Sequence, residues 1–285
     1  MKIVLASIND IGKYSLEELV KYVDVVGLFT VKERARLYMD ISDFVDTAKK
    51  YNIPLFKITD INAKDVEEQM KQLEPDLCMC MGWNQIIRKN ILDLPKYGWI
   101  GSHPTKLLLK DERIDPKISS APGNEPVPYT IRGGYEKTAM SLFWLAQKVD
   151  VGDIFAQAMV DVDTQHETTA TLIKKLGKVT AELIRDNMQS ILDGNPPRKS
   201  QEFTNTPEYM RPLNPDDNRI DMSAPIENTY RLIRSCIYPY PNAFIEFAGQ
   251  RIYIENARLE NGVFAELKVR VDGTPYAEDS YRRAK

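Results

Sequence analysis

Short apolar runs alternate with helical segments over roughly the first hundred residues, and this alternation constrains the fold more than any other feature. The runs that predict buried strands lie at residues 2–6, 25–29, 54–58, 77–81 and 99–103. Segments with helical spacing lie between them at 15–22, 41–50 and 63–73, the first opened by the capping-box spacing of Ser15 and Glu18. Strands that alternate with helices predict an α/β domain with a mostly parallel sheet and helices on both faces.

The first domain continues to a polar, proline-rich stretch at residues 194–206. Strands are expected at 138–145 and 154–160, followed by a long helix at 168–192 that Pro196 and Pro197 terminate. Placing the domain boundary in this stretch gives a first domain at 1–198 and a small, mainly β second domain at 199–285. The second domain has a predicted helix at 226–235 and predicted strands at 243–257.

Composition places the chain among ordinary globular proteins and forces no class of partner. Of the 285 residues, 43% are hydrophobic and 28% are charged, and the formal net charge is -3. No apolar stretch approaches the roughly 18 residues of a membrane span, and the apolar run after Met1 is too short for a signal peptide. We therefore expect a cytoplasmic protein that does not enter a membrane.

The cysteines and glycines argue against several cofactors. Cys78, Cys80 and Cys236 lack the second pair that would complete a tetrahedral metal site, so we expect buried, reduced thiols and no metal. The segment after the first strand contains only Gly12, without the three-glycine spacing of a dinucleotide fingerprint, and no phosphate-binding loop occurs. Nicotinamide and flavin cofactors are therefore not expected.

Two histidines occur in the chain, and His103 is the better candidate for a base. His166 lies in a polar turn typical of a solvated side chain, whereas His103 ends the apolar run at 99–103 and precedes Pro104. Residues just beyond the carboxyl ends of strands line the ligand crevice of open α/β sheets. From position alone, a structural histidine is an equal alternative.

Asp150 follows another apolar run, in the sequence Val149-Asp150-Val151-Gly152-Asp153. Aspartate and glycine are common in turns, so this segment has a purely structural interpretation as well. A carboxylate beside an imidazole would instead orient the ring and favour its protonated form. The functional interpretation depends on whether His103 and Asp150 come together.

The chain resembles the folate-dependent formyltransferase family, most closely its sugar N-formyltransferases. The resemblance covers nearly the whole length. It rests on the order and spacing of several short motifs at residues 81–87, 100–105, 125–131, 149–157, 211–217, 220–221, 232–234 and 238–244. It implies a Rossmann-like domain that takes a formyl group from 10-formyltetrahydrofolate and passes it to an amine. His103 and Asp150 match the histidine and aspartate of the family's reaction centre, where amine attack requires a base and the oxyanion requires hydrogen-bond donors.

The resemblance also implies two sets of binding residues. The residues expected at the folate donor are Trp83, Asn84, Gln85, Ile86, Val149 and Asp153. Those expected at the acceptor are Gly101, Pro104, Thr105, Lys106 and Asn124, and either Lys106 or Arg132 would contact a nucleotide diphosphate. Trp83 and Trp144 have an alternative interpretation as core aromatics.

The chain departs from the family pattern in two places. Gly101 stands where many members carry asparagine, so the oxyanion would need another donor: protonated His103, a backbone N–H, a water or Asn84. The loop after Thr105 is longer than usual and carries charged residues at 110–117. This loop is either an element that selects the acceptor or a solvated insertion.

The charge balance argues against a nucleic-acid acceptor. Residues 201–285 contain 11 Lys and Arg against 13 Asp and Glu, whereas a tRNA-binding domain should present a basic face. We therefore expect that the acceptor is a nucleotide-linked amino sugar, such as those of lipopolysaccharide O-antigens. The enzyme itself is a candidate homodimer. The alternatives are a methionyl-tRNA formyltransferase and an inactive folate-binding module.

Overall fold

A computed structural model describes residues 1–32, 43–109, 112–201, 209–238 and 240–271. Its strands are β1 (Lys2–Ala6), β2 (Asp24–Val31), β3 (Leu55–Ile58), β4 (Leu77–Cys80), β5 (Trp99–His103), β6 (Lys137–Trp144), β7 (Ile154–Asp161), β8 (Ala243–Phe247), β9 (Gln250–Glu260) and β10 (Val263–Val271). Its helices are α1 (Asp10–Leu19), α2 (Val45–Lys50), α3 (Lys64–Leu73), α4 (Lys89–Leu92), α5 (Pro126–Gly133), α6 (Thr169–Asp186), α7 (Met188–Leu192) and α8 (Ile226–Ser235). No helix in these ranges is long and apolar enough to cross a membrane.

The first seven strands form one sheet in the order β3-β2-β1-β4-β5-β6-β7. Pairing is parallel from β3 to β5 and antiparallel from β5 to β7. The prediction of a mostly parallel, Rossmann-like sheet followed by a small β domain is confirmed. Because β2 and β3 lie on one side of β1 while β4 lies on the other, the strand order reverses at β1 and β4, where such folds bind ligands.

Apolar side chains cover both faces of this sheet, as the prediction of helices on both faces requires. One face packs on α1, α5 and α6 through residues such as Leu16, Ile131 and Leu176. The other packs on α3 and α4 through Met70 and Ile91. Burial on both sides holds the sheet rigid, so the loops at its carboxyl edge are presented from fixed positions.

Helix α1 begins earlier than the capping-box interpretation of Ser15 and Glu18 predicts. Asn9 is the N-cap, and its side chain accepts a hydrogen bond from the Ile11 backbone N–H. Ser15 lies one turn inside the helix, is buried, and donates its hydroxyl to the Ile11 carbonyl. The interpretation was wrong because Asn9, only three residues beyond β1, already supplies a good cap.

The helix predicted at 168–192 forms as two helices. Thr168 caps α6 as the spacing predicts, but Asn187 leaves helical geometry and separates α6 from α7. The second helix ends at Leu192, as predicted, and Gly194 in the left-handed region follows it two residues before Pro196. For the helix predicted at 41–50, the structure gives Val45–Lys50, and residues 41 and 42 lie outside the described residues.

Helices α4 and α5 and strand β10 were not predicted. Helix α5 carried two recognisable signals, because Pro126 stands in its first turn and Gly134 adopts the left-handed conformation at its C-cap. Helix α4 spans only one turn.

The second domain is the antiparallel sheet β10-β9-β8 with α8 beside it. Lys199 pairs with Ile154, and Gln201 pairs with Leu109, so contacts with the first domain extend slightly beyond residue 198. The boundary itself stays a prediction. Helix α8 packs against α5 of the first domain.

Arg132 of α5 fills the junction between the domains. Its guanidinium donates hydrogen bonds to Ser235 Oγ at 2.9 Å and to Asn218 Oδ1 at 2.7 Å. The side chain that was considered for a phosphate therefore engages the second domain.

Glu125 also lies at this junction. Its Oε2 accepts a hydrogen bond from the backbone N–H of Leu213 at 3.1 Å. Burial raises the pKa of Glu125 from its ordinary 4.5 to about 7, against the opposing effects of this hydrogen bond and of Arg132. The folded protein thus binds this proton more tightly than the unfolded chain does.

This pKa predicts a pH-dependent stability. The stabilisation from the bound proton is complete below about pH 4.5 and is lost as the pH rises through about 7. From pH 4.5 to about 8, the thermal midpoint of the wild type should fall relative to that of Glu125→Gln, which cannot titrate. Other titrating groups are common to both proteins, so a difference that stays flat with pH would contradict the prediction.

Candidate active site

A cleft of about 840 Å³ opens at the carboxyl edge of the large sheet. It collects the ends of β1, β4 and β5, the loop between β6 and β7, Tyr240, and residues of the segment 209–219 that precedes α8, which we call the linker. Its lining includes Ile8, Asn9, Cys80, residues 82–87, Gly101, Ser102, His103, Pro104, residues 123–127, Phe143, residues 145–150, Tyr209, Pro212, Leu213 and Tyr240. We call 123–127, Tyr209, Pro212, Leu213 and Tyr240 the linker wall.

His103 ends β5 inside this cleft and is only 4% exposed. Its Nε2 lies 3.1 Å from the carbonyl oxygen of Ala121. A carbonyl only accepts hydrogen bonds, so in this contact Nε2 carries the hydrogen, and Nδ1 of the neutral ring has a free lone pair. Thr105, which is fully buried, donates its hydroxyl to the same carbonyl at 2.9 Å.

Asp150 faces the free nitrogen of His103, with Oδ2 3.9 Å from Nδ1. The same Oδ2 accepts a hydrogen bond from the Gly123 backbone N–H at 3.1 Å. Asp150 itself adopts the left-handed conformation at a φ of 55°. The structure thus brings together the histidine and aspartate that lie almost fifty residues apart in the sequence.

The turn that carries Asp150 is fixed by its neighbours. The Gln201 side-chain amide donates to the Asp150 carbonyl at 3.1 Å and to the Gly152 carbonyl at 2.6 Å. A Cβ on Gly152 would lie 1.6 Å from the carbonyl oxygen of Trp144, so only glycine fits there. These constraints explain why this turn requires glycine at position 152.

One short segment, residues 121–124, holds both members of the pair. Ala121 accepts from His103, and Gly123 donates to Asp150. The linker clamps this segment, because Met210 N–H donates to the Pro122 carbonyl and the Met210 carbonyl accepts from Asn124, both at 2.9 Å. The linker therefore supports the geometry of the pair.

Cys80 lines the cleft beside the pair. Burial and the nearby Asp150 carboxylate raise the pKa of its thiol to about 12. A thiol that stays protonated at neutral pH is a poor nucleophile, so His103 is the better-placed group for accepting a proton.

The site of the family asparagine is filled by another side chain. A Cβ on Gly101 would lie 2.6 Å from Cδ2 of Leu145 and 3.3 Å from Sγ of Cys80. Leu145, which follows β6, thus occupies the space above Gly101. The absence of a Cβ at Gly101 therefore leaves the space that the Leu145 side chain fills.

The loop at 82–87 forms another side of the cleft, and its backbone is braced from outside. The Gln85 side chain accepts from Ile61 N–H at 2.8 Å and donates to the Thr59 carbonyl at 2.9 Å. The Asn62 side chain donates to the Ile86 carbonyl at 2.8 Å. Because its amide oxygen and its amide nitrogen both hydrogen-bond to backbone groups of Ile61 and Thr59, the Gln85 side chain acts as a brace that holds this loop in place.

The other residues expected at the donor occupy different environments. Trp83 lines the cleft while packing on Ile8 and Val31, and Asn84 is exposed in the cleft. Ile86 and Val149 line it too and are 63% and 43% exposed.

Asp153, expected at the donor, and Trp144 both lie away from the cleft surface. Asp153 is not among the lining residues, and its carbonyl accepts from Trp144 N–H. Trp144 itself is buried in the core.

Of the residues expected at the acceptor, three line the cleft and two do not. Gly101, Pro104 and Asn124 line the cleft. Thr105 acts behind His103, and Lys106 lies outside the lining, 3.2 Å from the Glu112 carboxylate. Glu112 in turn accepts from Leu109 N–H at 2.9 Å, which anchors the long loop; Lys110 and Asp111 lie outside the described residues.

Several lining residues were not anticipated from the sequence: Asn9, Glu125, Phe143, Leu145, Tyr209, Leu213 and Tyr240. Asn9 could have been found, because it follows the first strand directly. Tyr209, Leu213 and Tyr240 could not, because they reach the cleft only through the packing of segments distant in the sequence.

The cleft has the size and lining of a small-molecule site. Its volume is near the upper end of the range for small-molecule sites, about 300–1,000 Å³. Ile8, Trp83, Ile86, Phe143 and Leu145 supply apolar surface for a ring system, beside the polar pair. Within the described ranges, no group of three His, Cys, Asp or Glu side chains could hold a metal ion.

Comparisons with known proteins agree with this geometry. The family described as formyl transferase matches residues 7–187, and its C-terminal domain matches residues 212–275. The methionyl-tRNA formyltransferase of Bacillus mycoides (strain KBAB4) is 30% identical over 259 residues, which cover 89% of this chain and 78% of that protein.

Solved structures share the fold. A methionyl-tRNA formyltransferase from Clostridium thermocellum superposes with a TM-score of 0.64 at 21% identity, covering 95% of this chain and 98% of that one. An N-formyltransferase from Helicobacter canadensis, in complex with folinic acid and dTDP-3-aminofucose, gives 0.66 at 16% identity, covering 92% and 88%. The chain therefore belongs to the formyl transferase family, and the prediction of a formyltransferase that uses 10-formyltetrahydrofolate is confirmed.

Proposed function

We propose that this enzyme transfers the formyl group of 10-formyltetrahydrofolate to the amine of a nucleotide-linked amino sugar in the cytoplasm. The observation that carries the proposal is the pairing of His103 Nδ1 with the Asp150 carboxylate in a cleft of about 840 Å³. His103 acts as the base, and Asp150 orients the imidazole ring and favours its protonated form. A homodimer is compatible with this function.

The proton follows a short path in this arrangement. His103 Nδ1 accepts a proton from the amine as the amine nitrogen forms its bond to the formyl carbon. Asp150, 3.9 Å away, stabilises the imidazolium that results. The imidazolium then returns the proton to the folate nitrogen as its bond to the formyl carbon breaks. The number of protons on the enzyme is the same before and after transfer.

The binding residues take roles that follow from their positions. We assign the donor to the side of the cleft formed by Trp83, Asn84, Ile86 and Val149, with Gln85 as a brace and Asp153 acting through its backbone. We assign the acceptor to the side formed by Gly101, Pro104 and Asn124. Thr105 supports His103, and Lys106 would contact the acceptor only by leaving Glu112.

The charges of the second domain favour a sugar over a tRNA acceptor. The cations on its sheet each lie within salt-bridge distance of a carboxylate: Arg251, Arg258, Lys268 and Arg270. Counterion release on phosphate binding requires cations that are available to phosphates. Within β8 to β10, the part of this domain's sheet that the structure describes, no such excess of positive charge is present.

Methionyl-tRNA formyltransferase is the second candidate. It is favoured by sequence identity, since the Bacillus mycoides enzyme of that name aligns over most of this chain. Such an enzyme would bind tRNA with an affinity that falls steeply as salt rises.

The first test measures tetrahydrofolate release from 10-formyltetrahydrofolate with a panel of nucleotide-linked amino sugars and, separately, initiator methionyl-tRNA. We expect turnover with a sugar. His103→Ala should lower kcat by about 10²–10⁴-fold, the usual contribution of a positioned base. Tetrahydrofolate affinity should remain, because the loop at 82–87 is intact.

His166→Ala is the matched control, since His166 is 80% exposed in a turn away from the cleft. It should turn over at the wild-type rate. Turnover with tRNA alone would replace the sugar proposal with the second candidate.

A second prediction concerns Gly101 and Leu145. Gly101→Asn in the wild-type background should lower the free energy of unfolding by about 1–3 kcal/mol, because the new side chain overlaps Leu145. In a Leu145→Ala background the same change should cost less, because the space is vacated.

Urea unfolding of the wild type, both single variants and the double variant measures this coupling. A cost of Gly101→Asn that is the same in both backgrounds would show that Leu145 is not what excludes a side chain at position 101.

A further inference from the structure

Glu125 enters the cleft from an unusual backbone conformation. It immediately precedes α5 at φ 50° and ψ 48°, a left-handed geometry that is uncommon for any residue other than glycine, asparagine or aspartate. It stands two residues after Gly123, which holds Asp150. Glu125 lines the cleft in the same short segment as Gly123.

Only one of the two carboxyl oxygens has a partner in the described chain. Oε2 accepts from Leu213 N–H at 3.1 Å, whereas no described residue donates to Oε1. The neighbouring guanidinium groups are engaged elsewhere. Arg132 contacts Ser235 and Asn218, and Arg211 pairs with Asp217.

The charge of the cleft limits what part of an acceptor this oxygen could contact. Glu125 and Asp150 both line it, and the cation among the lining residues is Lys148 in the loop between β6 and β7. A diphosphate placed against Glu125 would face like charge, whereas a hydroxyl group could donate to it. The phosphates of an acceptor are therefore better placed away from the linker wall.

We propose that Glu125 is an acceptor-specificity residue whose free carboxyl oxygen accepts a hydrogen bond from a sugar hydroxyl adjacent to the amine that is formylated. This inference rests on the proposed function. Because Glu125 follows Gly123 by two residues, and Gly123 N–H donates to Asp150, a hydroxyl bound by Glu125 would share the cleft wall with the reacting amine. Glu125 is a positioning residue in this role and takes no proton from the amine.

The surroundings of Glu125 support a carboxyl group that can change its protonation state. Burial raises its pKa to about 7, and the groups that face it are Tyr129 and Arg132 on α5, Arg211 and Asp217 in the linker, and Tyr240. As a carboxylate, Glu125 accepts from a hydroxyl more strongly than a neutral amide does.

The experiment compares pairs of dTDP-linked amino sugars that differ only in the hydroxyl adjacent to the amine. For each pair, kcat/KM is measured for the wild type, Glu125→Gln, Glu125→Ala and the exposed-carboxylate control Glu227→Gln. We expect the wild type and the control to prefer the hydroxylated sugar by about 10- to 100-fold, the worth of a charged hydrogen bond. Glu125→Ala should lose that preference, and Glu125→Gln should retain part of it.

The ratio of the two sugars is the decisive quantity, because it does not depend on how much of a variant folds. A purely structural role of Glu125 would slow both sugars equally and leave the ratio at its wild-type value, which would overturn the inference. A wild type that turns over none of the sugars but formylates methionyl-tRNA would instead overturn the proposed function, and the inference with it. The two failures are therefore distinguishable.

Discussion

The geometry of the candidate active site depends on one clamped segment of backbone. Residues 121–124 present a carbonyl to the His103 ring and an amide to the Asp150 carboxylate, only two residues apart. Neither side chain hydrogen-bonds the other directly, since their closest atoms are 3.9 Å apart. Their relation is set instead by this segment, and the segment is set by its pairing with Met210 of the linker. Residues beyond the first domain thereby support the geometry of His103 and Asp150.

Close packing in the cleft favours glycine at two positions. Gly123 has a φ of 118°, and a Cβ there would lie 2.4 Å from the Met210 carbonyl oxygen, so the clamp closes only around glycine. Packing also restricts position 101 on β5 to a small residue, because Leu145 fills the space that a larger side chain would need. Gly101 and Leu145 thus pack together on the floor of the cleft that His103 and Asp150 also line.

Much of the fold could be predicted because its signals are local. The strand at Trp99–His103 and the helix at Ile226–Ser235 have the bounds that their apolar patterns predict. The start of α1 could not be predicted from Ser15 and Glu18, because Asn9 competes for the same cap. Position at a strand end predicted His103, whereas Asn84, Asn124 and Val149 were expected only from the family resemblance. Glu125, Leu213 and Tyr240 reach the cleft through packing between distant segments, which no local pattern encodes.

The central claim is that the Asp150 charge supports proton transfer at His103, and Asp150→Asn tests it most directly. Asparagine keeps an oxygen that can accept from Gly123 N–H, so the clamp should survive while the charge is lost. With saturating donor and acceptor, we expect the rate of formyl transfer to fall at least about 100-fold with tetrahydrofolate affinity unchanged. A variant that transfers the formyl group at the wild-type rate would show that the carboxylate is only a structural acceptor, and would contradict the account.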